Sequence, residues 1–443
     1  MADALALRAD LVRADKEFLW HPYTPMGRYV AEVDPLVIER AEGARLFDVD
    51  GRSYLDANSS WWVATLGHNH PRLVAALARQ AARLCHVSLA GVTHEPAARL
   101  AEELVSIAPR GLTKVFYSDD GSTAVEVALK LALQFWHNER RPERRRFVAL
   151  DGAFHGETIG AASLGGVEVF RKPFAGVLLE CIFVPPPGPS EASEAEGYAR
   201  AFEALERLLR EGSETIAAVV LEPLVQGATG MRMYDAAYLR HARSLCDRYD
   251  VLLVIDEVFT GYGRTGAMWA CASAGVSPDI MCVAKGFTGG MLPMAATLAS
   301  GRVYDAFLGP PEKAFYYGHS FCGNPLGAAI AREVLAIFRE ENILERAVPK
   351  VDKIARAFRE MNAIAGVVRS RSLGMIGALD LSPGAGYLGE LGWRVFAEAR
   401  KRGAYLRPLG DVVYVAPPLT IADGELDLLL GIVEESVRAA LGA

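Results

Sequence analysis

A large α/β fold around a mostly parallel sheet is what this sequence predicts, on three observations. First, the runs RFVAL (146–150), AAVVLEP (217–223), VLLVIDEV (251–258) and IMCVA (280–284) are almost continuously apolar, and three of them are flanked by Asp. Runs without alternation suit parallel strands buried on both faces. Second, stretches of helical periodicity such as 201–210 and 236–248 separate several of them, as parallel crossovers require. Third, 443 residues with 51% hydrophobic and 23% charged composition carry ample apolar surface to offset the entropy of ordering the chain.

Along the chain, residues 50–70 are dense in Gly, Asn, Ser and His and read as strand ends and loops. The spacing of Leu, Val and Ala predicts helices over 71–86 and 96–107. VFYS (115–118) reads as a short buried strand ending in Asp119-Asp120-Gly121-Ser122. A strong helix follows, because Val125, Ala128, Leu129, Ala132 and Trp136 fall on one face. PPPGPSEASEAEG (185–197) reads as a surface loop, and the basic run Arg140–Arg146 as a solvated turn after a helix. After Pro325 come two amphipathic helices (326–342 and 345–362), a β-rich tail (367–381 and 404–416) and a last helix (423–441). This change of texture places a large domain over 66–335 and a smaller α+β domain over 336–443, which the N-terminal segment 1–65 completes.

The net charge of −7 argues against nucleic acid or an anionic membrane as a partner. Cys85, Cys181, Cys246, Cys271, Cys282 and Cys322 lie far apart with no CxxC pair. They read as reduced thiols of a cytoplasmic protein, and no metal site is expected. No apolar run approaches the ~18 residues of a membrane span, and charges interrupt the first twenty residues where a secretory signal would be apolar.

Gly261-Tyr262-Gly263-Arg264-Thr265-Gly266 matches a dinucleotide fingerprint and would suit a nicotinamide oxidoreductase. Against it, the preceding strand ends in Asp256-Glu257, whose charges would repel a pyrophosphate, and no convincing helix opens on the glycines. Asp256 and Lys285 each end an apolar run, and in open α/β sheets ligands bind outside the carboxyl ends of strands. A desolvated lysine there becomes a neutral nucleophile, although a plain buried ion pair is the simpler reading of these two residues alone. Gly121-Ser122 opens the strong helix, where free N–H groups and the helix dipole favour an anion. Phosphate site, aspartate and lysine together are the protein's usual contributions to pyridoxal phosphate chemistry.

These residues resemble the class III aminotransferases of the pyridoxal phosphate fold type I superfamily. The resemblance rests first on LVIDEVFTGYGRTGAMWACASAGVSPDIMCVAKGFTGG (253–290). Within that family the chain is most similar to the branch that serves biotin synthesis. The marks are Trp20-His21-Pro22-Tyr23-Thr24, Ser59-Ser60-Trp61-Trp62, VVLEPLVQGATGMRMY (219–234), HSFCGNPLG (319–327) and LRPLGDVVYVAPPL (406–419).

The resemblance implies a cytoplasmic homodimer with pyridoxal 5′-phosphate as cofactor and active sites at the subunit interface. It implies a ping-pong transfer of an amino group to 8-amino-7-oxononanoate, with S-adenosylmethionine or L-lysine as donor and pyridoxamine phosphate as carrier. An ω-amino acid or diamine:pyruvate aminotransferase is the alternative within the class. By the same resemblance Lys285 and Tyr23 are catalytic, Lys285 carrying the cofactor covalently and moving the proton between Cα and C4′. Asp256 would pair with the ring nitrogen, and Val258 and Phe154 would pack on the ring. Gly121 and Ser122 would hold the phosphate, joined by His319 and Ser320 from a second protomer. Tyr23, Trp61, Phe154 and Gly318 would line the substrate site beside Lys285, with Arg407 taking the substrate carboxylate. Glu222 is expected behind the site, Arg264 is a weaker candidate for it, and His155 and Glu157 read as parts of a turn. Two positions depart from the family pattern: Phe154 stands where Tyr is usual, and Asp120 where Ser is usual.

Overall fold

The computed structural model describes residues 2–188, 193–382 and 387–443. Its centre is a seven-stranded sheet of β1 (Leu112–Ser118), β2 (Arg146–Leu150), β3 (Cys181–Val184), β4 (Ile216–Leu221), β5 (Leu252–Asp256), β6 (Ile280–Val283) and β7 (Ala295–Ser300). The order is β1-β7-β6-β5-β4-β2-β3. The four pairs from β6 through to β3 are parallel, and β7 alone is antiparallel to both of its neighbours. Because β1 and β6 both oppose β7, β1 points the same way as the parallel strands. Ser118, Leu150, Leu221, Asp256 and Val283 therefore end on one rim.

Strands β4, β5 and β6 are buried along their whole length, which explains their unbroken apolar sequences. Two strands of this sheet lie outside the predicted apolar runs. AATLAS (β7) is built mostly of small residues with little strand preference, and CIFV (β3) is a four-residue edge strand. The helix Gly121–Asn138 covers one face with Ala124, Val125, Ala128, Leu131, Ala132, Phe135 and Trp136. The indole of Trp136 donates to the Ala217 carbonyl at 2.8 Å, locking that helix onto β4.

N-terminal strands Ile38–Glu42, Arg45–Asp48 and Ser53–Asp56 form a second sheet, completed by Ala404–Tyr405 from the far end of the chain. A third, antiparallel sheet joins Arg369–Leu373, Ile376–Asp380 and Val412–Val415. Helices Pro325–Glu340, Ile343–Met361 and Asp423–Leu441 fall where the periodicity predicts, whereas the first helix of the 71–86 stretch stops at Ala81. The 185–197 loop gives way to a helix at Glu194, and its residues 189–192 lie outside the described residues. All six cysteines are free thiols. Among the described residues no helix is long and apolar enough to cross a membrane, and no cluster of side chains is suited to a metal ion.

Candidate active site

The strand rim opens into a cavity of about 520 Å³. Asp256, the last residue of β5, is 5% exposed at its floor. Its Oδ1 accepts the Val258 N–H at 3.0 Å, and its Oδ2 lies 2.8 Å from His155 Nδ1. Burial alone would lower the imidazole's pKa, but the bond to Asp256 and its charge raise it above the ordinary value. The other ring nitrogen, Nε2, is buried and unpartnered among the described residues.

Lys285 follows β6 in a left-handed conformation, φ +51°. Burial pulls its amine down to about 8, against the opposing pull of Asp256 and Glu222. Nζ lies 4.8 Å from the centroid of the Trp62 ring. Glu222, just past β4, accepts the Phe154 N–H at 3.1 Å and the Gly227 N–H at 2.8 Å, and burial raises its carboxyl to about 7.

At the head of the helix Gly121–Asn138, Asp120 spends its carboxylate on capping, accepting the Thr123 N–H at 2.9 Å. That leaves the N–H groups of Gly121 and Ser122 at the helix start, and Asp120 fills a capping role open equally to serine. Gly121 is close-packed: a Cβ there would stand 2.7 Å from Val258 Cγ1. Ser122 Oγ accepts the Glu157 N–H at 3.1 Å.

Ser59, Ser60, Trp61 and Trp62 all have positive φ, between +45° and +73°. Four non-glycine residues in that region are costly, and the strain turns both indoles toward the cavity. Trp61 packs on Tyr23 at 5.3 Å between centroids, and the Tyr23 hydroxyl donates to Glu157 Oε1 at 2.7 Å. Arg407 sits behind this wall: its guanidinium lies 5.0 Å from the Trp61 ring and 5.4 Å from that of Trp393 and donates to the Tyr23 carbonyl at 3.2 Å.

Of the residues singled out from sequence, Tyr23, Trp61, Gly121, Ser122, Phe154, Glu222, Asp256, Val258 and Lys285 line this one cavity. Arg407 touches its wall from outside. Gly318, His319 and Ser320 do not reach it within the same chain. His319 Nδ1 instead lies 2.9 Å from Asp119 Oδ2, and Nε2 lies 2.8 Å from the Tyr317 hydroxyl. Arg264 is fully buried away from the cavity, donating to the Pro417 carbonyl at 2.7 Å. No helix opens on the Gly261–Gly266 stretch; the next is a four-residue turn at Ala270–Ser273. Its Gly263 has φ +80°, and a Cβ there would press on Leu419 and Leu344, so the glycine serves packing.

His155, Glu157 and Trp62 line the cavity as well, beyond the residues expected there. A signal existed for His155, which directly follows Phe154, but its partner Asp256 is 101 residues away.

Residues 28–437 match the Aminotransferase class-III family. The adenosylmethionine-8-amino-7-oxononanoate aminotransferase of Geobacter sulfurreducens is 41% identical, over 97% of each chain. The crystal structure of the enzyme of that name from Methanocaldococcus jannaschii superposes with a TM-score of 0.92 at 35% identity, covering 98% of this chain and 99% of that one. A PLP-bound amine transaminase from an uncultivated Pseudomonas species superposes at 0.89 with 32% identity, covering 96% and 99%.

Proposed function

The chain belongs to the class III aminotransferase family, and from that premise we propose that it transfers an amino group to 8-amino-7-oxononanoate, making 7,8-diaminononanoate for biotin synthesis. Its cofactor is pyridoxal 5′-phosphate. The observation that carries the reading is convergence: Lys285, the Asp256–His155 pair and the helix start at Gly121-Ser122 face one cavity. That set fits the cofactor, with an amine that burial pulls down to about 8, a carboxyl group to face a ring nitrogen and a helix N-terminus for a phosphate.

When bound, the cofactor supplies an aldehyde that captures amines and a ring that accepts electrons from the substrate carbon. Lys285 would hold it covalently, Asp256 would face its ring nitrogen, and Gly121 and Ser122 its phosphate. Val258 and Phe154 would pack against the ring. Freed from the linkage, the Lys285 amine takes a proton from the amine-bearing carbon of the donor and later delivers one to the ketone carbon of the acceptor. An amine titrating near 8 is matched to both directions of that transfer at neutral pH. His155 keeps Asp256 oriented through the contact at its Oδ2. Tyr23, fixed by Glu157, and Trp61 wall off water on the substrate side. Arg407 takes the carboxylate of the keto acid by a charge-assisted bond.

The proposal makes the chain a cytoplasmic homodimer. Gly318, His319 and Ser320, which stay out of their own cavity, reach that of the second protomer. S-adenosylmethionine is the donor in this reading. One observation favours L-lysine as a second reading: Phe154 brings a bare ring into the cavity where the family pattern has a hydroxyl to discriminate among polar donors. Absorbance separates the two, with the yellow enzyme mixed separately with each donor. Bleaching by S-adenosylmethionine, reversed by 8-amino-7-oxononanoate, supports the first reading and bleaching by lysine alone the second. Bleaching by neither overturns the biotin assignment.

A further inference from the structure

Trp62 differs from its neighbour in the same turn. It is 4% exposed, whereas its neighbour Trp61 is 38% exposed. Its indole Nε1–H donates to the Tyr414 hydroxyl at 3.0 Å, and its ring packs on Phe259 at 4.4 Å between centroids. Its backbone, φ +73°, ends the strained Ser59–Trp62 turn. A buried ring held by a hydrogen bond on one edge and a second ring beside it has no freedom to turn. What it presents to the cavity is an aromatic face, with the Lys285 amine 4.8 Å from the centroid.

We propose that Trp62 is a positioning residue for Lys285, its indole face holding the ε-ammonium when the lysine is free of the covalent linkage and protonated. This rests on the reading of Lys285 as the cofactor's attachment point and goes beyond it to the question of where the lysine waits. Each transfer releases the amine into an apolar enclosure, where an ammonium has lost water and needs an electrostatic partner. Among the described residues Lys285 makes no ion pair: the carboxylates that act on it, Asp256 and Glu222, do so at longer range, the first tied to His155 and the second to backbone N–H groups. The negative face of an indole meets that need without forming a salt bridge that would have to be broken at each turnover. It also leaves Lys285 on the cavity wall, ready to return.

The test is the titration of Lys285 in cofactor-free protein, read by competitive acylation with acetic anhydride and mass spectrometry across pH. Trp62→Leu removes the aromatic face and should lower the apparent pKa of Lys285 by about one unit, the scale of a desolvated cation–π contact. Trp62→Phe, which keeps a face, should lower it by less. Fluorinated tryptophans, isosteric but with a progressively weaker ring quadrupole, should lower it stepwise and keep the proposal testable if Leu unsettles the packing. An unchanged or raised pKa in Trp62→Leu, or a flat fluorination series, overturns the proposal. Because neither cofactor nor substrate is present, the result is independent of the assigned reaction. Failure of borohydride to fix the cofactor on Lys285 would instead mark failure of the aminotransferase reading.

Discussion

Replacing Lys285 by methionine should make the cofactor-free protein more stable while abolishing turnover. The unfolded chain holds the lysine at its ordinary 10.5 and the folded one at about 8. At about 1.4 kcal/mol per pH unit, that difference means the folded protein carries its ammonium at neutral pH at a cost of about 3 kcal/mol. Methionine keeps an unbranched apolar stem of similar length, so little packing is lost. The sign follows from proton counting. Between pH 8 and 10.5 the unfolded chain binds the proton that the folded one has released, so wild-type stability rises with pH across that window. The variant has nothing to titrate there. Urea unfolding of both cofactor-free proteins, at one protein concentration, should show the methionine variant ahead by about 3 kcal/mol at pH 7, with a smaller gap at pH 9.5. A variant no more stable than wild type, or a gap equal at the two pH values, would refute the claim that this amine is held against its preference.

Other expectations concern the walls of the site. Arg407→Ala should raise the KM for the keto acid by roughly 10- to 100-fold, since a charge-assisted hydrogen bond contributes about 1.5–3 kcal/mol; steady-state kinetics at saturating donor would show it, and an unchanged KM would move the carboxylate site elsewhere. Gly121→Ala drives a Cβ to 2.7 Å from Val258. Overpacking of about 1–3 kcal/mol should appear as weaker cofactor binding in an absorbance titration. Phe154→Tyr should raise the rate of the half-reaction with S-adenosylmethionine if the absent hydroxyl is what limits that donor.

How much of this was legible in the sequence depended on how locally each feature is determined. The buried strands of the sheet announce themselves because burial on both faces leaves no room for polar residues. Asp256, Lys285 and Gly121 were legible because a strand end or a helix start places them on the rim. What failed to show was long-range or compositional. The alanine-rich β7 has no strand signature, and its place comes from pairing with β1 and β6. His155 acquires its role only through Asp256, 101 residues on. Trp62 would pass for a core residue, since the turn that aims it at Lys285 is a conformation no periodicity reports. Conversely, the Gly261–Gly266 pattern imitates a nucleotide site because close packing and phosphate cradling both call for residues without a Cβ.

If Lys285 drives amino transfer to 8-amino-7-oxononanoate, the product itself reports it. Purified protein with pyridoxal phosphate is incubated with 8-amino-7-oxononanoate and S-adenosylmethionine or L-lysine, and the product is identified by mass spectrometry beside a Lys285→Ala control. The wild type should yield 7,8-diaminononanoate with one of the two donors, and the variant none. Absence of the diamine with both donors, or its formation by Lys285→Ala at the wild-type rate, would contradict that role of Lys285.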